Sequence, residues 1–510
     1  FGVLLAGGIP SALYPPVRLG KIEEWKRRSS RMLRVLGCQA VLTNKSLHSL
    51  LAYPVSESNP PIGSFTVASI LEDSTREGEV PAIHSQDTAF IQFSSGTTGS
   101  PKPVALSHGN ILQNAEFILG NLPGNPKEAR CVSWLPVYHD MGLIGALISS
   151  MMAQAELTLI PPELFLARPK NWLEALTRMK GSISVAPNFA YSLCCHRISE
   201  SESADLDLSH WKVALCGAEP IQPETLRLFS ERFRPFGFDP KAFTPAYGLA
   251  EATLAVTASP FGEGPTERSF DREKLEGSGT AVPADPGWTL VSVGRPIAGG
   301  QIDIRDENGN ALEETKVGRI WVRGPQVMQG YFQDPTSTHQ SLVNGWLDTG
   351  DRGFIFEKDL YLCGRYKDMI IVRGKNHDPA PLEECLDALP GIRKGCAVVF
   401  GELDAESGTE RLVVLAEVRD SELSGTHEEL MKAIQDRILK EYQLSVSEVV
   451  LLEPGTLPRT SSGKKQRQSA KQLWNQNALL PPENRPTWIY FRERVKGYLQ
   501  QKFHGRKSAE

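Results

Sequence analysis

Ser94-Ser95-Gly96-Thr97-Thr98-Gly99-Ser100-Pro101-Lys102 is the stretch on which the reading of this chain turns. It follows the apolar run Phe90–Phe93, which reads as a buried strand, and it precedes a helix. Ser107 is a plausible N-cap for that helix, and Ile111, Leu112, Ala115, Ile118 and Leu119 recur on one face. Glycines let backbone N–H groups approach a polyphosphate, hydroxyls donate to it, and lysine adds positive charge. The pattern G-x-x-x-x-G-K-[ST] does not occur, so this is not a Walker A loop. By composition alone it is equally a flexible polar loop.

Outward from this loop, β-rich runs alternate with helical periodicity from about residue 20 to 400, which predicts an α/β fold. Further strands are expected at Leu157–Ile160, Ser182–Val185 and Val213–Cys216. Beyond residue 300 the pattern turns antiparallel. Gln301–Arg305 and Arg319–Arg323 alternate in period two, with a turn at Asp306–Gly309. A smaller α+β unit then follows, with strands at Cys396–Phe400 and Leu412–Val418. Its helix, Thr426–Tyr442, opens on a capping box of Thr426 and Glu429. The expected organisation is a large multi-sheet N-terminal domain at 1–366, a small α+β domain at 367–470, and a tail or linker at 471–510.

Residues 257–293, rich in Gly, Pro and charge, read as a long connection or insertion. In the tail, Ile489, Val495, Leu499 and Phe503 are spaced loosely as an amphipathic helix over Trp488–Phe503. The chain opens on Phe1-Gly-Val-Leu-Leu-Ala without Met or a signal peptide, and further residues are expected upstream. No run of 18 apolar residues exists, and the longest, Gly142 to Ala153, reads as a buried helix.

Of the 510 residues, 40% are hydrophobic and 23% charged, with a net charge of -5, which gives no general reason to expect nucleic acid or membrane as partner. The 8 cysteines are scattered without C-x-x-C spacing, against a zinc site or a disulfide framework. A reducing, cytoplasmic setting is the expectation.

Three more segments carry chemistry. Lys464, in Ser461-Ser462-Gly463-Lys464-Lys465, could act as a mobile cation reaching a remote site. Asp351 could accept ribose hydroxyls, and Tyr247 through Glu251 offers an aromatic plane and a carboxylate. Each alone has an ordinary structural alternative: a solvated basic loop, a turn aspartate, a core tyrosine.

Taken together, these segments resemble the adenylate-forming superfamily. The loop at 94–102 is followed in order by Gly217-Ala218-Glu219-Pro220, Ala246-Tyr247-Gly248-Leu249-Ala250-Glu251, Thr349-Gly350-Asp351, Gly364-Arg365-Tyr366-Lys367-Asp368, and Pro458 through Lys464 to Arg467. Within it the chain is most similar to the fatty acyl-AMP ligases, through Trp134 to Gly145, Ala186 to Tyr191 and Tyr247 to Leu254. The segment 257–293 falls where that family carries an insertion thought to disfavour transfer to free CoA.

The resemblance implies an ATP- and Mg-dependent ligase that converts a fatty acid to its acyl-adenylate and passes it to an acyl carrier protein. An acyl-CoA ligase and a non-catalytic adenylate-binding sensor are the alternatives. It implies Lys464 and Glu251 as catalytic residues, Glu251 also as the Mg ligand, and His139 as a gating side chain. It implies nucleotide contacts from Ser94, Ser95, Gly96, Thr97, Thr98, Gly99, Lys102, Gly217, Ala218, Glu219, Ala246, Tyr247, Gly248, Asp351 and Arg365, with Lys367 as hinge of a mobile small domain. Candidates for an acyl tunnel are Met141, Ile144, Ile148, Met151 and Phe189. Three features depart from the family pattern: Pro103 after the loop lysine, Thr97-Thr98-Gly99, and Ala380-Pro381 after Asn376 to Pro379.

Overall fold

A computed structural model describes residues 1–16, 22–72, 80–94, 101–372, 375–403, 410–460, 463–479 and 481. At its centre is a seven-stranded sheet. The order is Glu156–Leu159, Arg130–Ser133, Ile183–Ala186, Val213–Cys216, Phe243–Gly248, Ala255–Ala258, Arg295–Pro296. The first five strands are parallel and the last two antiparallel. Parallel strands are covered on both faces and read as unbroken apolar runs, which is why Val213–Cys216 was legible. Helices Lys170–Met179, Asn188–Arg197 and Pro223–Phe233 contribute to the core on one face, around Trp172, Tyr191, Trp211, Phe229 and Phe243. Within that cluster Trp172 Nε1 donates to Ser184 Oγ at 2.8 Å, and the Tyr191 hydroxyl donates to the Leu215 carbonyl at 3.0 Å.

The polar loop does not lead directly into a helix. The strand Pro103–Ser107 intervenes, antiparallel to Thr88–Phe93, and the helix His108–Gly120 begins only after it, with Ser107 and Asn110 closing a capping box. Pro103 opens the strand, a position where a missing N–H is tolerated, and a five-residue strand is easily hidden between a loop and a cap. The strands on either side of the loop are therefore paired with each other, and Ser94 N–H donates to the Lys102 carbonyl at 2.9 Å beyond their last pair. Residues Ser95, Gly96, Thr97, Thr98 and Gly99 lie outside the described residues, as does the Trp488–Phe503 pattern.

A second, antiparallel sheet contains the expected pair, Gln301–Arg305 with Gly318–Arg323, followed by Trp346–Phe356 and Asp359–Arg365. Residues 257–293 are not a bare connection. Strands Glu267–Phe270 and Trp288–Val291 pair antiparallel, with helix Arg272–Gly277 between them. Phe270 and Leu275 are buried with Phe354, Tyr361 and Cys363. The stretch is thus an insertion with structure of its own, and most of its Gly and Pro residues fall between short elements.

The C-terminal part is α+β with its own core, including Ile370, Val399, Val414, Ile434 and Ile438. Ile392–Leu403 and Glu410–Val418 are antiparallel, and Val446–Leu452 returns parallel to the second after helix His427–Tyr442. The capping box of Thr426 and Glu429 is present. The two parts meet at the turn Tyr366–Asp368, where Gln468 Nε2 donates to the Lys367 carbonyl at 2.7 Å and to Asp368 at 3.1 Å. Among the described residues no helix is long and apolar enough to cross a membrane.

Candidate active site

A cavity of about 650 Å³ opens beyond the carboxyl ends of the parallel strands, the usual ligand position in an open α/β sheet. Gly217 follows the strand Val213–Cys216, and Ala246, Tyr247 and Gly248 end the strand Phe243–Gly248. The two segments lie back to back. A Cβ on Gly217 would stand 2.7 Å from the Ala246 carbonyl oxygen, and one on Gly248 would stand 1.8 Å from that of Leu254. Ala218 takes φ 71°, a left-handed conformation that costs a non-glycine residue energy. Glu219 accepts from the Phe189 N–H at 2.6 Å, and burial raises its pKa.

Asp351 and Arg365 are register partners on adjacent strands, with Arg365 Nε 2.9 Å from Asp351 Oδ1. The Tyr247 hydroxyl donates to Asp351 Oδ2 at 2.7 Å. A carboxylate offers about four acceptor positions, so both oxygens retain capacity for ligand hydroxyls. Nearby, Glu251 accepts from the Tyr331 hydroxyl at 3.1 Å and from the Ser94 hydroxyl, while burial pushes its pKa up. Lys102 Nζ stands 4.6 Å over the Tyr331 ring. One end of the polar loop thus meets Glu251 directly, through Ser94, and the other meets its partner Tyr331, through Lys102.

Lys464 comes from the small domain. Its hairpin is closed by Gly463 N–H to the Thr460 carbonyl at 2.9 Å and Thr460 N–H to the Lys464 carbonyl at 2.8 Å. The tip seats on the large domain, since a Cβ on Gly463 would lie 3.7 Å from the Phe189 ring. There Lys464 feels Asp140, Glu219 and Asp351 with Arg365 opposing, and loss of solvent lowers its pKa below the lysine range. Burial likewise brings the His139 pKa down to about 4, against the pull of Asp140 and helped by Lys464 and Arg28, so its ring is neutral near pH 7. Gln92 Nε2 fixes this corner by donating to the Tyr138 carbonyl at 2.9 Å. Lys367 lies on the cavity rim at the inter-domain turn.

Asp140, Gln92 and Tyr331 escaped the sequence reading. Asp140 had a signal, adjacent to His139 in a segment already singled out; Tyr331 had none, because it reaches Glu251 only through strand pairing of Gly330–Tyr331 with Pro103–Ser107.

The apolar arm of the cavity differs from expectation. Of the five tunnel candidates only Met141 lines it. Ile144 is buried in a different core cluster, against which Ile148 packs, Met151 is half exposed, and Phe189 supports the Lys464 hairpin. The physical cause is helix winding. Met141–Ile148 is a π-helix, in which hydrogen bonds close over five residues, and it continues as an α-helix through Ser149–Ala153. The wider turn brings Met141, Gly145, Ser149 and Ala153 to the cavity instead, facing Val185, Val213 and Leu215 from the sheet.

Among the described residues no group of three His, Cys, Asp or Glu side chains could hold a metal ion. A single buried carboxylate beside hydroxyls suits a cation that takes its remaining ligands from phosphates and water, the habit of Mg²⁺.

A family model described as AMP-binding enzyme matches residues 1–332, and one described as the AMP domain of Disco-interacting protein 2-like proteins matches residues 367–482. A long-chain-fatty-acid–AMP ligase of Mycobacterium tuberculosis is 34% identical, over 94% of this chain and 85% of that protein. A putative acyl-CoA synthetase of Caulobacter vibrioides is 34% identical, over 92% of this chain and 82% of that protein. A medium-chain-fatty-acid–acyl-carrier-protein ligase of Moorena producens is also 34% identical, over 92% and 82%. Among solved structures, a fatty acyl-adenylate ligase from work on the E. coli and L. pneumophila enzymes superposes with a TM-score of 0.87 at 34% identity, covering 93% of this chain and 85% of that one. An L. pneumophila ligase in complex with acyl adenylate and pyrophosphate gives 0.69 at 32%, covering 93% and 83%.

Proposed function

The chain belongs to the AMP-binding enzymes, and from that premise we propose that it is a fatty acyl-AMP ligase that loads an acyl carrier protein. One observation carries the reading: Lys464 stands where a polar nucleotide-sized end of the cavity meets an apolar arm. The family uses ATP. A fatty carboxylate entering from the apolar arm would have its head at Lys464, in line with the α-phosphate of ATP.

In the reaction a carboxylate oxygen bonds to the α-phosphorus as the bond to pyrophosphate breaks. Both partners are anionic, so positioning and charge neutralisation carry the catalysis. Lys464 binds the carboxylate and the α-phosphate. Tyr247 and the Gly217-Ala218-Glu219 backbone hold the adenine, and Asp351 with Arg365 takes the ribose. Ser94, Lys102 and the loop between them hold the outer phosphates. Glu251 would hold Mg²⁺, which neutralises phosphate charge when bound. His139, kept neutral, shapes the passage beside Lys464 without adding a second cation, and rotation about Lys367 would later admit the acceptor thiol.

The inserted unit bears on the acceptor. The Arg272 guanidinium carbon lies 4.1 Å from the ring centre of Tyr442 in the small domain and 5.5 Å from that of Trp288. Glu276 accepts from Arg272 at 2.9 Å and meets His377 at 3.1 Å. These contacts restrain the rotation that free CoA would require and favour a carrier whose docking can offset their loss. Labelled dodecanoate, ATP and Mg²⁺ incubated with and without CoA test the proposal. Acyl-AMP that accumulates regardless of CoA is expected. Efficient conversion to acyl-CoA would replace this reading with that of an acyl-CoA ligase, and bound nucleotide without product would indicate a non-catalytic adenylate binder.

A further inference from the structure

The apolar arm ends in an unusual way. Along its length it is walled by core: Gly145, Ser149 and Ala153 on the helix side, Val185, Val213 and Cys131 on the sheet side. At its far end the lining comes from Ile118 and Leu119, in the last turn of helix His108–Gly120, and from the surface segment 121–129 that joins this helix to the strand Arg130–Ser133. Leu122, Pro126 and Ala129 line the cavity from this segment and are half-buried. Their neighbours Asn121, Pro123, Gly124, Asn125, Lys127 and Glu128 are exposed. The segment is thus a thin layer, its lining residues alternating with exposed neighbours.

That layer is held locally. Leu122 N–H donates to the Leu119 carbonyl at 3.2 Å, and Asn125 caps the short turn Pro126–Glu128 by accepting from Lys127 N–H at 3.2 Å. A Cβ on Gly124 would meet nothing within 4 Å.

Accepting the ligase reading above, we infer that the segment 121–129 sets acyl chain length, with Leu122 and Ala129 as the specificity-determining residues. From Met141 to Ala153 the lining helix spans roughly 15–18 Å at about 1.5 Å per residue. An extended alkyl chain advances about 1.25 Å per carbon at ordinary bond geometry, so roughly 12–14 carbons reach the segment. Shorter acids leave apolar wall unfilled; longer ones press on Leu122 and Ala129 rather than on the core.

The test is a kcat/KM series for acyl-AMP formation with saturated acids from octanoate to octadecanoate, on the full chain and on two variants acting in opposite directions. Ala129→Phe should lower the ratio of tetradecanoate to octanoate activity ten-fold or more. Leu122→Ala should raise the ratio of octadecanoate to dodecanoate activity at least three-fold, a gain that misfolding cannot produce. Unmoved ratios in Leu122→Ala, with acyl-AMP still formed, overturn the assignment of the segment alone. Absence of acyl-AMP from every acid in the unmodified chain overturns the ligase reading, and this inference with it.

Discussion

The two arms of the cavity are built on opposite plans. At the nucleotide end the wall is made of charges, Lys464, Arg365, Asp351, Glu219 and Glu251, each with stated neighbours. Buried charge is expensive unless paired, so these groups come with partners: Tyr247 and Arg365 on Asp351, Tyr331 on Glu251, the Phe189 N–H on Glu219. At the acyl end the wall is made by omission. Gly145, Ser149 and Ala153 withhold side chains from one face of a helix, and the space they leave is the site. Function at the first end is lost by taking a group away, and at the second by putting one in.

The largest effect follows from removal. Lys464→Ala should lower acyl-AMP formation roughly 10²–10³-fold, the range seen when a donor to developing charge is deleted, while thermal melting stays within a few degrees. The same lysine predicts a pH dependence. Desolvation lowers its pKa from 10.5, so the ammonium is lost earlier than in an exposed lysine as pH rises. The kcat/KM profile should therefore fall on the alkaline side below pH 10.5, and Lys464→Arg should move that limb upward. Full activity in the alanine variant would remove Lys464 from the chemistry and dissolve the contrast between the arms.

An intermediate effect follows from insertion. A Cβ on Gly145 would already lie 3.1 Å from Leu254 Cδ2. Gly145→Met should fill the entrance of the arm and lower the ratio of dodecanoate to butyrate activity roughly 10–100-fold, in line with about 1–3 kcal/mol for overpacking a tight site. An equal loss with both acids would mean that the helix had moved as a whole and that the arm is not where the chain lies.

The same contrast governs what the sequence could reveal. Chemistry on charged groups calls for particular residue types in fixed order, so Asp351, Tyr247, Glu251 and Lys464 were legible as candidates in the sequence alone. The strands Val213–Cys216 and Gln301–Arg305 were legible for a similar reason, because burial on both faces dictates an unbroken apolar run and burial on one dictates alternation. A cavity made of absent side chains leaves no such mark. Bulky Ile144, Ile148 and Met151 are the apolar candidates in the sequence and would share a face of an α-helix, whereas the π-helix re-phases that face. Tyr331 and Gln92 were hidden differently, since each acts through a contact between segments far apart in the chain. The inserted unit was legible as an insertion, but its two strands of only four residues each were too short to show against the Gly and Pro at its turns.

The smallest predicted effect tests whether the pairing at the nucleotide end matters as much as the charges. Tyr247→Phe keeps the aromatic ring and deletes only the hydroxyl that donates to Asp351 Oδ2. Arg365 still holds the other oxygen, so the carboxylate stays charged but is oriented from one side. The loss should be about 1 kcal/mol, the usual net worth of one hydrogen bond, or roughly five-fold in KM for ATP with little change in kcat. A split of that kind would mark Tyr247 as orienting the ribose acceptor in the ground state as much as in the transition state. A fall confined to kcat would instead place the hydroxyl in the chemical step, and the nucleotide end would then be a more cooperative network than its pairwise contacts suggest.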